Sequence, residues 1–211
     1  KPYTPGTMRE RHSLAELFLG GLGALGLSPV PTSFAPDQIV MEQDVAPRYV
    51  FLILAGLASS RTLLPNGREV LVALQGPGVT LGDLEFFTGG APAACGVRAI
   101  GTLSCVRVDY TTMERMLAAE PRLGAAFAGL LARRLFRSSM RMSAGIAYPL
   151  EYNLLQAVRA RFCAGPFGQA PMDEDDMGTI GAGLHLLKKD LASYLGHSER
   201  HINRLLKSLG E

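Results

Sequence analysis

The stretch from Lys188 to Lys207, KKDLASYLGHSERHINRLLK, decides how the rest of the chain is read. Two short helices around a turn account for it. Leu191, Leu195, Ile202 and Leu205 fall at spacings that put them on the inner faces of two crossing helices, with the small Ala192 at their closest approach. Gly196 stands where the turn needs a left-handed residue. Ser198 is an N-cap residue, so the second helix begins there and turns Arg200, His201 and Arg204 outward. Side chains of this kind on one exposed face reach base edges and phosphates in a major groove. The layout is that of a helix-turn-helix; the plain alternative is a capped amphipathic hairpin with solvated charges. His197 departs from the pattern, because an apolar residue usually follows the turn. Its ring can still pack while one nitrogen stays hydrated.

At 211 residues the chain can form one large domain or two small ones. A net charge of +2 excludes a general polyanion coat, yet from Lys188 onward five Lys or Arg stand against three acids, and three of the four histidines lie from His185 onward. Cys95, Cys105 and Cys163 are three widely spaced cysteines without a CxxC pair, which points to reduced thiols rather than to disulfides or a zinc site. The longest apolar run, Val50 to Ala55, is far too short to span a bilayer, and no leader-like segment opens the chain. A soluble, cytoplasmic protein without a membrane partner is expected. The chain opens at Lys1, so residues 1–7 are taken as an addition ahead of a natural start at Met8.

Upstream of the opening motif the period of the apolar residues changes twice. Leu14, Leu17 and Phe18 recur at helical spacing between His12 and Leu22. From Phe34 to Asp109 short β-type runs follow: Gln38–Met41, Tyr49–Leu54, Leu57–Leu63, Glu69–Leu74, Cys95–Ala99 and Leu103–Val108. Pro65-Asn66-Gly67, Gly76-Pro77-Gly78 and Gly89-Gly90 punctuate them as turns. Many short strands at near-regular spacing predict an antiparallel sandwich, roll or barrel. From Thr111 to Met142 the pattern is helical again, and Leu123, Phe127, Leu130, Leu131 and Leu135 form a stripe broad enough to pack on two partners. The β-domain on one side and a second copy of the helix on the other make a homodimer. Arg133, Arg134, Arg137 and Arg141 are expected to be a solvated basic face. A further helix over Tyr152–Phe162 leads to a Gly-, Pro- and acid-rich loop from Gly165 to Gly183, where Asp173, Glu174, Asp175 and Asp176 are spaced as a solvated turn rather than as metal ligands.

Helix, β-roll, long helix, helix-turn-helix is an order that resembles the bacterial regulators typified by the catabolite activator protein and FNR, over nearly everything from Phe34 to Leu209. The matching segments are GREVLVALQGPG (67–78), LGDLEFFTGG (81–90), VRA (97–99), LARRL (131–135) and the helix-turn-helix. The resemblance implies an α+β fold in three parts: an N-terminal helix and β-roll over 1–110, a dimerisation helix over 111–145 and a winged-type helix-turn-helix over 146–211. The family usually continues into a β-hairpin wing, and this chain stops at Glu211 before one. The SERH start of the second helix looks closer to the YeiL-like branch and implies an operator unlike that of the catabolite activator protein.

In the family a cassette resembling GELxLxxxxxxRSA cradles a cyclic nucleotide: the glutamate holds the ribose hydroxyl, the arginine pairs with the phosphate, and the serine and backbone amides complete the cradle. Here the segment from Gly82 to Cys95 has Asp83 and Leu84 after the glycine, Ala93 at the arginine position and Ala94 at the serine position. The lost guanidinium takes away a charge-assisted contact of about 1.5 to 3 kcal/mol, so cyclic AMP is not expected to bind. Whether Arg98 substitutes depends on strand alternation. Ser138 and Ser139 match a pair that touches the nucleotide base in the family, and here they are expected to serve helix packing. Cys95 falls inside the cassette as a small core residue or, alternatively, a redox reporter.

No cofactor and no metal is expected. An FNR-type iron–sulfur cluster needs four thiolates, and three cysteines cannot supply them. Haem would have His12, a cysteine or a methionine as its axial ligand, and nothing else in the chain supports it. A cupin-type metalloenzyme is disfavoured because no histidine occurs between Ser13 and Leu184, so no enzyme is expected. The leading expectation is a homodimeric transcription regulator that binds a near-palindromic duplex, with RNA polymerase as the further partner the resemblance allows. Arg200 and Arg204 would contact guanine or phosphate, Glu199 and His201 base edges, and Ser198, Lys188, Lys189 and Lys207 phosphates. The alternative is a ligand-, redox- or haem-sensing β-roll module with weak or lost DNA binding.

Overall fold

The computed structural model describes residues 13–148, 152 and 197–208. The expected helix over Tyr152–Phe162, the acidic loop, Cys163 and the first helix of the helix-turn-helix, with Lys188 and Lys189, lie outside the described residues, Tyr152 itself excepted. The first element is helix α1, Leu14–Ala24, and Ser13 starts it with a capping box: its hydroxyl accepts from Glu16 N while Glu16 accepts from Ser13 N. Such a cap contributes about 1 kcal/mol. Strands β1 (Pro31–Phe34), β2 (Ile39–Met41), β3 (Tyr49–Leu63), β4 (Glu69–Gln75) and β5 (Thr80–Leu81) follow, then helix α2 (Asp83–Phe87) and strand β6 (Gly96–Asp109). Helices α3 (Tyr110–Ala119) and α4 (Pro121–Ala147) come next, and α5 spans Glu199–Ser208.

The six strands among the described residues share one antiparallel sheet. Its path is β1-β6-β3-β4, with β2 joined to β6 and β5 to β3. The runs expected as separate strands at Tyr49–Leu54 and Leu57–Leu63 are one strand, β3, and those at Cys95–Ala99 and Leu103–Val108 are likewise the single strand β6. Gly56 explains why the apolar pattern looked interrupted: the ladder between the two strands slips on both sides of Ala55, and Gly56 takes φ 86° directly against β6. A Cβ there would sit 2.2 Å from the Thr102 carbonyl oxygen. The turn at Pro65-Asn66-Gly67 is as expected, with Gly67 N donating to Leu64 O and Arg68 N to Asn66 Oδ1.

Both faces of the sheet are covered where β3 meets β6. Successive side chains of a strand alternate sides, so Phe51 and Ile53 point into the roll with Phe34, Leu81, Leu103 and Cys105, while Val50 and Leu52 point outward with Val106 and Val108. The outward set is buried by Phe18 of α1, Met113 and Met116 of α3, and Leu123 and Phe127 of α4. Each fully buried side chain of this size contributes about 1.5 to 3 kcal/mol.

The single helix expected over 111–145 is two. Pro121 cannot donate a backbone hydrogen bond and its ring drives Glu120 out of helical geometry, to φ −130° and ψ 86°, so α3 stops there and α4 restarts with proline in its first turn. α4 then has two halves: Leu123 and Phe127 are buried against the β-domain, whereas Leu135 and Phe136 are 70% and 66% exposed. Among the described residues no helix is long and apolar enough to cross a membrane.

Candidate functional site

The cassette is built where β5 turns into α2. Gly82 makes that turn at φ 76° and caps α2, and a Cβ would lie 2.5 Å from the Tyr49 carbonyl oxygen, so glycine is required. The turn carries both Asp83 and Glu85 inward, leaving them 2% and 7% exposed, while Leu84 between them stays exposed. Buried carboxylates need partners. For Asp83 the partner is Arg134 of α4, whose Nη1 donates to Oδ1 at 3.1 Å and to Oδ2 at 2.8 Å, while Nη2 donates to the Thr80 carbonyl at 2.9 Å.

Arg134 is thus no part of a solvated basic face. The side chains of Arg137 and Arg141 lie outside the described residues, and Arg133 is half-buried. Glu85 was not singled out in the sequence, because alternation along a strand gives no hint of a one-turn helix that points residues i and i+2 inward. Burial pushes its carboxyl above the usual range and the Asp83 charge adds to the rise; hydrogen bonds from the backbone of Glu85 and Ala94, and the Arg134 charge, act against it. Tyr110 stands beside the group: burial first, then the Glu85 charge, raises its phenol. Tyr110 Oη and Thr80 Oγ1 are buried without a hydrogen-bond partner among the described residues.

Ala93, at the position of the family's arginine, is wholly buried in the roll. Its carbonyl accepts from Asp44 N at 2.8 Å and its N–H donates to Val45 O at 3.1 Å. Arg98 does not replace the missing cation: on β6 it alternates with buried Val97 and Ala99, stays exposed, and donates to the Asp37 carbonyl at 3.4 Å. Ala94 is exposed, and Cys95 is half-buried with its sulfur 3.2 Å from Thr62 Oγ1. Ser138 and Ser139 are exposed on α4, Ser138 one turn beyond Arg134.

In the described half of the helix-turn-helix, Ser198 caps α5: its hydroxyl accepts from His201 N at 3.3 Å and its carbonyl from Ile202 N at 3.1 Å. Ile202 and Leu205 are buried, and Arg200, Arg204 and Lys207 are exposed at i, i+4 and i+7 of the opposite face. His201 is half-buried and its ring meets that of the exposed His197 edge-on at 5.3 Å. The Glu199 side chain lies outside the described residues.

Residues 31–120 match the family model of the cyclic nucleotide-binding domain. The chain is 24% identical over 197 residues to the HTH-type transcriptional regulator Cmr of Mycobacterium tuberculosis, covering 93% of this chain and 73% of that protein. It is 23% identical over 189 residues to a CRP-like cAMP-activated global transcriptional regulator of the same organism, covering 88% and 79%. Among solved structures, the c-di-GMP responsive global regulator CLP of Xanthomonas campestris superposes with a TM-score of 0.73 at 15% identity, covering 90% of this chain and 91% of that one. That similarity is one of fold.

Proposed function

We propose that the chain is a homodimeric, sequence-specific DNA-binding regulator of the CRP/FNR type whose β-roll does not respond to cyclic AMP, a reading supported by the match to the cyclic nucleotide-binding domain and by the similarity to CRP-like transcription regulators. The observation that carries the proposal is the amphipathic split of α5. Behind the Ser198 cap, apolar Ile202 and Leu205 face inward and the cations Arg200, Arg204 and Lys207 face out along one line. A helix of this kind lies in a major groove, its arginines forming bidentate contacts to guanine or pairing with phosphate. The exposed apolar half of α4 supports pairing with a second copy, and a two-fold pair of such helices would read two half-sites about one helical turn apart on a near-palindrome.

The effector part of the proposal rests on Ala93. A relative activated by cAMP does not make this chain one, because a phosphodiester entering the cassette would meet a buried methyl group where a guanidinium is needed. Sensing would act through the Asp83–Arg134 pair, which ties the cassette to α4; a ligand that moves Asp83 turns α4 and with it the two reading helices.

Selection of random duplex DNA with the purified chain tests the proposal. A palindrome enriched by the wild type and lost in Arg200→Ala and Arg204→Ala is the expected outcome. Failure to enrich any duplex, or enrichment indifferent to both substitutions, would overturn it. Calorimetry should show no saturable heat with micromolar cyclic AMP.

A further inference from the structure

His197 departs from the apolar pattern of the helix-turn-helix, and the function proposed above leaves it unused. It stays exposed, so it does not serve the interior, and its ring meets that of half-buried His201 at a centroid distance of 5.3 Å and an interplanar angle of 79°. Ser198 fixes the spacing between the two. Its hydroxyl and its carbonyl both accept from His201 N, at 3.3 and 3.0 Å, so the residue just before the cap and the one a turn later are held on the same side of the helix start. We propose that His197 and His201 form a two-imidazole site for a divalent transition-metal cation of the zinc, nickel or copper class at the start of α5.

The physical reason is the match of chemistry and spacing. Neutral imidazole is a ligand that these cations favour, and two histidines four residues apart on one side of a helix are a recurrent way to supply a pair. Metal–nitrogen bonds of about 2.0 to 2.1 Å, at angles from square-planar to tetrahedral, put two imidazole centres about 4.5 to 5.2 Å apart. The observed 5.3 Å lies at the edge of that range. Histidine χ2 is a soft torsion, so turning the rings brings one nitrogen of each to a shared cation without moving the backbone. Among the described residues no group of three or more His, Cys, Asp or Glu side chains comes together, so the pair supplies two ligands and water completes the shell. The partial positive charge at the start of a helix also opposes a cation. Both effects make the site weak and reversible, loading and emptying with the ambient metal concentration. The inference goes beyond DNA reading and does not depend on it, because the binding is a property of the protein alone.

The probe is nickel ion alone, titrated by calorimetry in a non-chelating buffer. The proteins compared are wild type, His197→Gln, His201→Gln and a control, His12→Gln/His185→Gln, that keeps the pair. Wild type and control should show the same saturable site, and either substitution in the pair should weaken it at least tenfold. Paramagnetic nickel at substoichiometric amounts should also broaden the ring proton resonances of both His197 and His201 in wild type. His197→Gln alters an exposed side chain, so it carries the test if His201→Gln unsettles α5. No saturable site in wild type, equal affinity in wild type and His197→Gln, or a site lost only in the control overturns the proposal.

Discussion

Arg134 on helix α4 donates to both carboxylate oxygens of Asp83, at 3.1 and 2.8 Å, from a position 51 residues further along the chain. The bond joins the turn of the β-roll that carries the cassette to the helix whose far half is exposed and apolar. In the proposed mechanism it is the point at which a change in one reaches the other.

Removing one partner of a fully buried pair costs about 3 to 5 kcal/mol. The Arg134 side chain is 30% accessible, so Arg134→Ala is expected to cost less, about 2 kcal/mol. The loss appears as a lower urea midpoint at unchanged slope, and Arg134→Lys should recover part of it. A variant as stable as wild type would show that Asp83 finds its compensation elsewhere.

Glu85 and Asp109 should impose opposite pH dependences on stability. Burial raises the Glu85 carboxyl above its ordinary value of 4.5, so the folded chain holds that proton more tightly than the unfolded one. The stability it contributes is full below 4.5 and is lost as pH rises through the raised value. Glu85→Gln should therefore gain on wild type as pH climbs toward neutrality. Asp109 caps α3, and hydrogen bonds led by that from Thr112 N hold its carboxyl below 3.8. Its contribution is present above 3.8 and is lost as pH falls through the lowered value, so Asp109→Ala should cost about 1 kcal/mol near neutrality and progressively less in acid. Urea midpoints measured across the acid-to-neutral range check both slopes.

The two described cysteines should differ in reactivity. Burial pushes the Cys105 thiol up to about 12 inside the roll, whereas Cys95 is half-buried at the cassette rim. In a Cys163→Ser background, iodoacetamide at neutral pH should label Cys95 in the folded protein and Cys105 only after denaturation. Labelling of Cys105 at a similar rate would mean that the roll opens readily.

Leu135 and Phe136 are exposed on the far half of α4. An apolar face of this kind is unfavourable in water unless a second copy covers it. Leu135→Glu should shift the sedimenting species from dimer to monomer while leaving the β-domain folded by circular dichroism. A wild type that sediments as a monomer at micromolar concentration would contradict the pairing.

The strand content, the turn at Gly67, the cap at Ser198 and the inward pair Ile202 and Leu205 were all legible in the sequence, because each rests on local chemistry. What was not legible depended on contacts between distant residues. The broken apolar pattern around Gly56 concealed a single strand, since only its neighbour Thr102 shows why a glycine interrupts it. Pro121 carried a signal for the helix break that the strength of the surrounding period outweighed. Arg134 looked like one member of a basic row, although its place one turn before Ser138 put it on the helix side that faces the cassette in the family's pattern. Glu85 had no local signal at all, because its burial follows from the left-handed turn at Gly82 and the packing of α2.

In the proposed function two copies of α5 read two half-sites. It is tested most directly by fluorescence anisotropy with the palindrome enriched by selection, against the same duplex with one half-site scrambled. Wild type should bind the intact palindrome with two chains per duplex, and scrambling one half should weaken binding by at least tenfold. Arg204→Ala should cost about 1 to 3 kcal/mol on the intact duplex. Equal affinity for the intact and scrambled duplexes, unchanged by Arg204→Ala, would rule out paired half-site reading by α5.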